Sequence, residues 1–196
     1  MLKRLLYSDL ARQAELEGRP AERPSLARFL CRLPHHRFLP IVLCRASRAA
    51  MLGRIPLVAQ LLTYLNLVLF GLEVAPQCEI GPGIFFPHPA GTVVGAWRIG
   101  CNVTIFQGVT LGAKELDMGF DLRLRPDVGD NVVLGAGAKI LGGLRIGDRA
   151  TVGANSVVVE PVEAGSTVVG IPARRVAETR RRAIDLELTA LNQPAS

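Results

Sequence analysis

Aliphatic side chains recur at every sixth residue through the second half of this sequence, and that spacing excludes most folds. The series runs Val74, Ile80, Phe86, then Val93, Ile99, Ile105, Leu111, then Val128, Leu134, Ile140, Ile146, Val152, Val158. Glycine often follows directly, as in Ile80-Gly81, Ile99-Gly100, Val128-Gly129 and Ile146-Gly147. Small or β-branched residues such as Val103, Val109, Val132, Ala138, Ala150 and Ser156 fall four positions after the aliphatic one. A period of six is too short for a helical-hairpin repeat and matches neither the 3.6 period of a helix nor the plain alternation of a strand. It suits short strands meeting at regular corners, each inward aliphatic stacking on its equivalent in the next coil. That is a parallel β-helix solenoid.

The period slips twice. Phe86 to Val93 is seven residues, so one extra residue is accommodated around Pro87-His88-Pro89. Leu111 to Val128 is seventeen, so a loop leaves the coil over residues 113–125. Segments that interrupt a regular scaffold commonly carry function.

Before the repeat the pattern is helical. Residues 1–70 read as a helical extension, 71–176 as the β-helix, and 177–196 as a tail with a short helix. Leu26, Phe29, Leu30 and Leu33 share a helix face that ends at Leu33-Pro34. A second helix is expected near Leu39 to Leu52, stopped by Gly53, and a third opens at Pro56. Charge is uneven: Met1 to Phe70 holds 11 Lys and Arg against 4 Asp and Glu, and the remainder 12 against 13. The basic character therefore belongs to the extension, where a solvated helical face is preferred over nucleic-acid binding. Ile55 to Leu72 carries no charge, which fits a helix buried in a subunit interface or in its own domain, with peripheral membrane contact as the second choice. The four cysteines form no CxxC pair and read as free thiols. The amino terminus does not read as a signal peptide, so the expected location is cytoplasmic, with membrane association through the extension as a variant.

Glu73 to Val176 resembles the hexapeptide-repeat acyltransferases, closest to their serine acetyltransferase branch. The resemblance rests on Asn102-Val-Thr-Ile-Phe-Gln-Gly-Val-Thr-Leu-Gly112, on Val128-Gly-Asp-Asn-Val-Val-Leu-Gly-Ala-Gly-Ala-Lys-Ile-Leu-Gly142, on Val152-Gly-Ala-Asn-Ser-Val-Val158 and on Val168-Val-Gly-Ile-Pro-Ala-Arg174. It implies a left-handed parallel β-helix, a homotrimer with active sites between adjacent subunits, and acetyl transfer from acetyl-CoA to an acceptor hydroxyl. It also implies no metal.

Such a transfer needs a base, because a hydroxyl is a weak nucleophile at neutral pH, and donors for the thioester oxyanion. Of the three histidines, His35 and His36 sit in a helix-breaking turn. His88 stands where the repeat breaks step and matches the family's catalytic histidine; the bland alternative is a hydrogen-bonded structural histidine. Glu73 occupies the register of the family's orienting aspartate. The resemblance places small residues along the pantetheine arm, here Gly112, Ala113, Ala136 and Ala154, and offers Lys139, Arg174 and Arg175 for the CoA phosphates. The amide near Gly112 or Ala113 is the candidate oxyanion donor. For the acceptor, Arg125 and Arg123 are candidate carboxylate partners.

The serine enzymes carry an aspartate before the histidine where this chain has Pro87, and an Arg-His-Pro motif where it has Leu124-Arg125-Pro126. A saccharide acceptor, from a surface polysaccharide or a nucleotide sugar, is therefore the alternative to serine. A zinc site of the γ-carbonic anhydrase kind needs three converging histidines and fails on count. The non-enzyme alternative is a trimeric β-helix scaffold.

Overall fold

The computed structural model describes residues 2–19, 26–117 and 119–176. The short helix expected in the tail lies outside the described residues. Four helices come first: α1 (Leu2–Leu16), α2 (Leu26–Arg32), α3 (Leu39–Leu52) and α4 (Pro56–Phe70). The punctuation in the sequence sets their ends. Pro40 and Pro56 open α3 and α4 in the first turn, where a missing N–H costs nothing. Gly71 closes α4 in the left-handed conformation at φ 64°, donating its N–H to the Leu67 carbonyl.

A three-sided prism of parallel coils follows, left-handed as in its structural neighbours. The first face stacks Leu72–Val74, Thr92–Val94, Thr110–Gly112, Lys139–Leu141 and Val157–Val158. The second stacks Glu79–Ile80, Arg98–Ile99, Asp127–Val128 and Arg145–Ile146. The third stacks Thr104–Ile105, Val133–Leu134, Thr151–Val152 and Thr167–Gly170, and Ala173–Arg175 folds back antiparallel on the last of these. Each face puts one column of aliphatic side chains inside. Register pairs Val74 with Val94, Leu111, Ile140 and Val158 on the first face, and Ile80 with Ile99, Val128 and Ile146 on the second. Nearly all of these are fully buried.

One expectation is corrected. The inward residue of the second coil is Val94, not Val93, which is half-exposed on the outer surface. Two residues, not one, are inserted between Phe86 and Val94, and the next corner is one residue short, at Gly95–Ala96. The two changes nearly cancel, so the six-residue count re-enters phase at Ile99 and hides the shift.

The helices are fastened to the first coil by a buried ion pair. Asp9 of α1 and Arg45 of α3 are 0% and 4% exposed at the side chain, with Nη2 to Oδ1 at 2.9 Å and Nε to Oδ2 at 3.0 Å. Asp9 Oδ1 also accepts from the amides of Gly83 at 2.8 Å and Ile84 at 3.1 Å. Arg45 donates in turn to the carbonyls of Ile80 and Gly81. Burial pushes the Asp9 carboxyl above its ordinary value, against the pull of Arg45 and the two amides. Replacing Asp9 by Ala strands a buried guanidinium and is expected to cost about 3–5 kcal/mol in chemical denaturation. The apolar double variant Asp9→Leu, Arg45→Met is expected to recover much of that loss.

Candidate active site

His88 sits on the two-residue insertion, at the corner between the third and first faces. Phe85 and Phe86 are buried beneath it, while His88 itself is exposed. The corner is pinned from both sides: Gly91 donates to the Gly71 carbonyl at 2.9 Å, Thr92 to Pro89 at 3.3 Å, and Ala90 accepts from Gly108 at 3.1 Å. Gly91, Gly108 and Gly137 stack at this edge with φ of 71°, 69° and 73°, a conformation that a side chain resists. The coil therefore continues in register while Pro87-His88-Pro89 bulges from the edge.

Glu73 points outward from the first strand of the prism, between buried Leu72 and Val74. It heads a row of outward residues, Glu73, Val93, Thr110 and Lys139, aligned by strand register one coil apart. Its strand begins directly after Gly71, whose carbonyl holds the His88 corner. Lys139 is turned back to this edge, with Nζ donating to the Gly108 carbonyl at 2.5 Å.

The other expected cofactor residues fall in three places. Ala136 and Ala154 lie on the same edge as His88, above Gln107, since Gly137 donates to the Gln107 carbonyl and Asn155 to Ala136. Beyond the last coil of that edge the hairpin turns back along the third face, where Arg174 and Arg175, both exposed, pair with Glu160 at 3.3 Å and Glu163 at 2.6 Å, residues at the other two corners of the prism. Four coil steps separate the His88 corner from this hairpin, about 19 Å at the usual strand spacing. Gly112 and Ala113 lie at the opposite edge of the first face, where the strand Thr110–Gly112 ends.

Gly112 is unusual. A Cβ built there meets nothing within 4 Å, and its φ is not in the left-handed range. Among the described glycines it alone has both properties, so neither backbone conformation nor packing within the chain requires the missing side chain.

The 113–125 loop rises from that edge, and Asp117 is its hub. Asp117 Oδ1 accepts from Gly119, and Oδ2 from the Asp121 amide and from Arg125 Nε at 3.0 Å and Nη2 at 2.8 Å. Arg125 also donates to the carbonyls of Asp117 and Gly95, and its guanidinium lies over the Phe120 ring at 4.2 Å. Both side chains of the pair are largely buried. Arg125 is thus committed to closing the loop. Arg123 pairs with Asp121 at 2.7 Å on the exposed side, holding that carboxyl down to about 2. The Asp117 hub was missed in the sequence because the loop has no period to reveal it. Gly143 was missed as well: a Cβ there would meet the Arg123 carbonyl at 1.8 Å, so the loop rests on bare backbone. Among the described residues no group of three His, Cys, Asp or Glu comes together as metal ligands. His35 and His36 stack on each other at 4.5 Å in the helical extension.

Comparison with known proteins gives this arrangement a family. Residues 125–159 match the family described as bacterial transferase hexapeptide (six repeats). A serine acetyltransferase of Staphylococcus xylosus is 45% identical over 125 residues, 63% of this chain and 56% of that protein. One from Synechococcus elongatus is 40% identical over 159 residues, 81% of this chain and 63% of that protein. A solved structure of soybean serine acetyltransferase complexed with serine aligns with a TM-score of 0.76 at 35% identity, covering 89% of this chain and 69% of that one. A serine acetyltransferase complex with CoA aligns at 0.76 and 31% identity, with the same coverage.

The chain belongs to the serine acetyltransferase family.

It spans just over half to just under two thirds of the length of those two curated relatives. The loop beside Gly112 is pinned by Arg125 and rests on Gly143. Arg125→Ala is expected to open it: limited trypsin digestion should cut after Lys114 and Arg123 about tenfold faster than in the parent, with the melting temperature changed by only a few degrees. Unchanged cleavage would show that Asp117 does not depend on Arg125.

Proposed function

We propose that the chain is an acetyl-CoA-dependent O-acetyltransferase of the serine acetyltransferase kind, working as a homotrimer. The observation that carries the reading is the His88 corner: an exposed imidazole, on a rigid insertion, at the foot of an edge lined by Ala136 and Ala154, with the hairpin that carries Arg174 and Arg175 beyond the last coil of that edge. A long thiol arm laid along that edge has its thioester at His88 and its phosphates at the arginines, with Lys139 beside the track. His88 takes the proton of the acceptor hydroxyl as that oxygen attacks the thioester carbon. The carbonyl becomes an oxyanion, for which backbone amides at Gly112 or Ala113 are the proposed donors. Collapse breaks the carbon–sulfur bond, and the imidazolium returns its proton to the departing CoA thiolate. Glu73, one coil below the corner, is the proposed orienting carboxylate.

The two small-residue sets lie on opposite edges of one face. A single extended ligand meets both readily if the His88 edge of one copy faces the Gly112 edge of the next. This separation supports sites between subunits.

A second reading of the acceptor is favoured by Arg125 and Pro87. Free serine brings a carboxylate and an ammonium group, each needing a counter-charge. Arg125 is engaged by Asp117 and Gly95, Arg123 by Asp121, and Pro87 offers no anion beside His88. A neutral hydroxyl, as on a saccharide, asks for neither charge. The test is release of free CoA from acetyl-CoA with serine and homoserine set against sugars and nucleotide sugars. His88→Ala should leave the protein folded and lower turnover by at least about 100-fold. Retained turnover would remove His88 from the mechanism, and no turnover with any acceptor would favour a scaffold.

A further inference from the structure

The chain has one tryptophan, and the fold leaves it partly in water. Trp97 is 41% exposed, while Phe85 and Phe86 are buried and Phe106 and Phe120 are at least half-covered, so it is the one exposed aromatic side chain of residues 71–176. Its backbone is fixed from two coils. The Trp97 N–H donates to the Pro126 carbonyl at 2.9 Å, and its own carbonyl accepts from the Glu79 amide at 3.0 Å. It follows the shortened corner at Gly95–Ala96, where a Cβ on Gly95 would meet Arg125 Nη1 at 2.8 Å. The foot of the 113–125 loop is therefore directly beside it.

The height of Trp97 along the prism matters. His88, the strand Thr92–Val94 and Trp97 belong to one coil, and the strand crosses the first face between them. Trp97 thus stands at the opposite edge from His88, on its level. Gly112 lies at the Trp97 edge one coil further on, because Val94 pairs with Leu111. Ala136 and Ala154 are also on later coils. Prisms standing side by side, His88 edge against Gly112 edge, bring residues of equal height together. The cofactor's track then occupies the later coils, and the indole faces the neighbouring copy's His88 corner, where the acceptor must enter.

We propose that Trp97 is the acceptor platform, taking the C–H face of a neutral saccharide ring. The proposal rests on the inter-subunit site and on the neutral-acceptor reading given above. The face of an indole is negatively polarised and meets the slightly positive C–H hydrogens of a sugar ring, whose hydroxyls stay free at the rim. The cationic side chains next to Trp97 are already engaged: Arg98 with Asp127 at 3.1 Å and Arg125 with Asp117 at 2.8 Å. Leu122 and Leu124, each 45% exposed, continue the uncharged surface where the loop returns. A rigid backbone, a half-wet aromatic face and paired neighbouring charges suit a ring that brings no charge of its own.

A single tryptophan makes the test direct, because all indole emission comes from this site. The assembled parent protein should show emission that acrylamide quenches. Methyl glucoside, galactoside, mannoside and N-acetylglucosaminide are the probes, each added with CoA present. At least one should shift the emission saturably to shorter wavelength and protect it from acrylamide; serine should do neither. Trp97→Leu should raise the KM for that glycoside at least about tenfold, far more than it changes kcat, with acetyl-CoA affinity within about twofold of the parent, and Trp97→Phe should recover most of the loss. Glycosides acetylated with unchanged KM by the leucine variant would overturn the role of Trp97 and leave the saccharide acceptor standing. A shift with serine and with no glycoside would overturn both. Emission that no probe moves would overturn the platform. So would an indole closed to acrylamide before any probe is added, which would give that face to a neighbouring copy.

Discussion

Inward aliphatic columns, one per face, hold the prism together, and every other feature is placed relative to them. Each coil is too small to bury its own apolar residues, so Val74, Val94, Leu111, Ile140 and Val158 find their contacts in the coils above and below. The requirement is strict for the inward positions and loose for the corners. Residues can be added at an edge as long as the next strand returns to register. The His88 bulge and the 113–125 loop are two such additions, at opposite edges of the same face. A repetitive core thus tolerates irregular segments without losing rigidity, which the proposed acyl transfer needs because reacting groups must be held to within a fraction of an ångström.

The helical extension adds a second constraint. The Asp9–Arg45 pair ties α1 and α3 to the turn at residues 80–84, four residues before His88, and α4 ends under the same corner. The corner is therefore held from the coil below it by Gly71, from the coil above by Gly108, and from the helices through the 80–84 turn. The first coil is also the one with no coil beneath it to continue the columns, and the helices cover it: Ile41, Cys44 and Phe70 pack with the inward residues of that coil. Burial pushes the Cys44 and Cys78 thiols up to about 12, as expected for cysteines that fill space.

Much of this could be read in the sequence, and the failures have physical causes. The period of six is a direct print of the columns, and Gly53, Pro56 and Gly71 mark helix ends through backbone chemistry alone. His88 was conspicuous because it is the single histidine in the repeat and stands at a break in step. Val93 misled because an insertion and a deletion at neighbouring corners nearly restore the count, and only strand pairing reveals which of Val93 and Val94 faces in. Arg125 looked available to an acceptor because its partner, Asp117, lies in a loop without period. The Asp9–Arg45 pair joins residues 36 apart on different helices, a contact no local pattern predicts. α4 reads as a buried helix by composition, but its polar stripe faces inward and its apolar side is exposed, a reversal that hydropathy does not register.

The account turns on why Gly112 is glycine when nothing in its own chain requires it. If the space beside it belongs to acetyl-CoA, a side chain there removes binding without disturbing the fold. The direct measurement is calorimetric titration of acetyl-CoA into the parent protein and into Gly112→Leu, with melting of both in the absence of ligand. The account predicts equal melting within about 2 °C and at least about 30-fold weaker binding by the variant, a loss of roughly 2 kcal/mol. Equal affinity in the two proteins would contradict it.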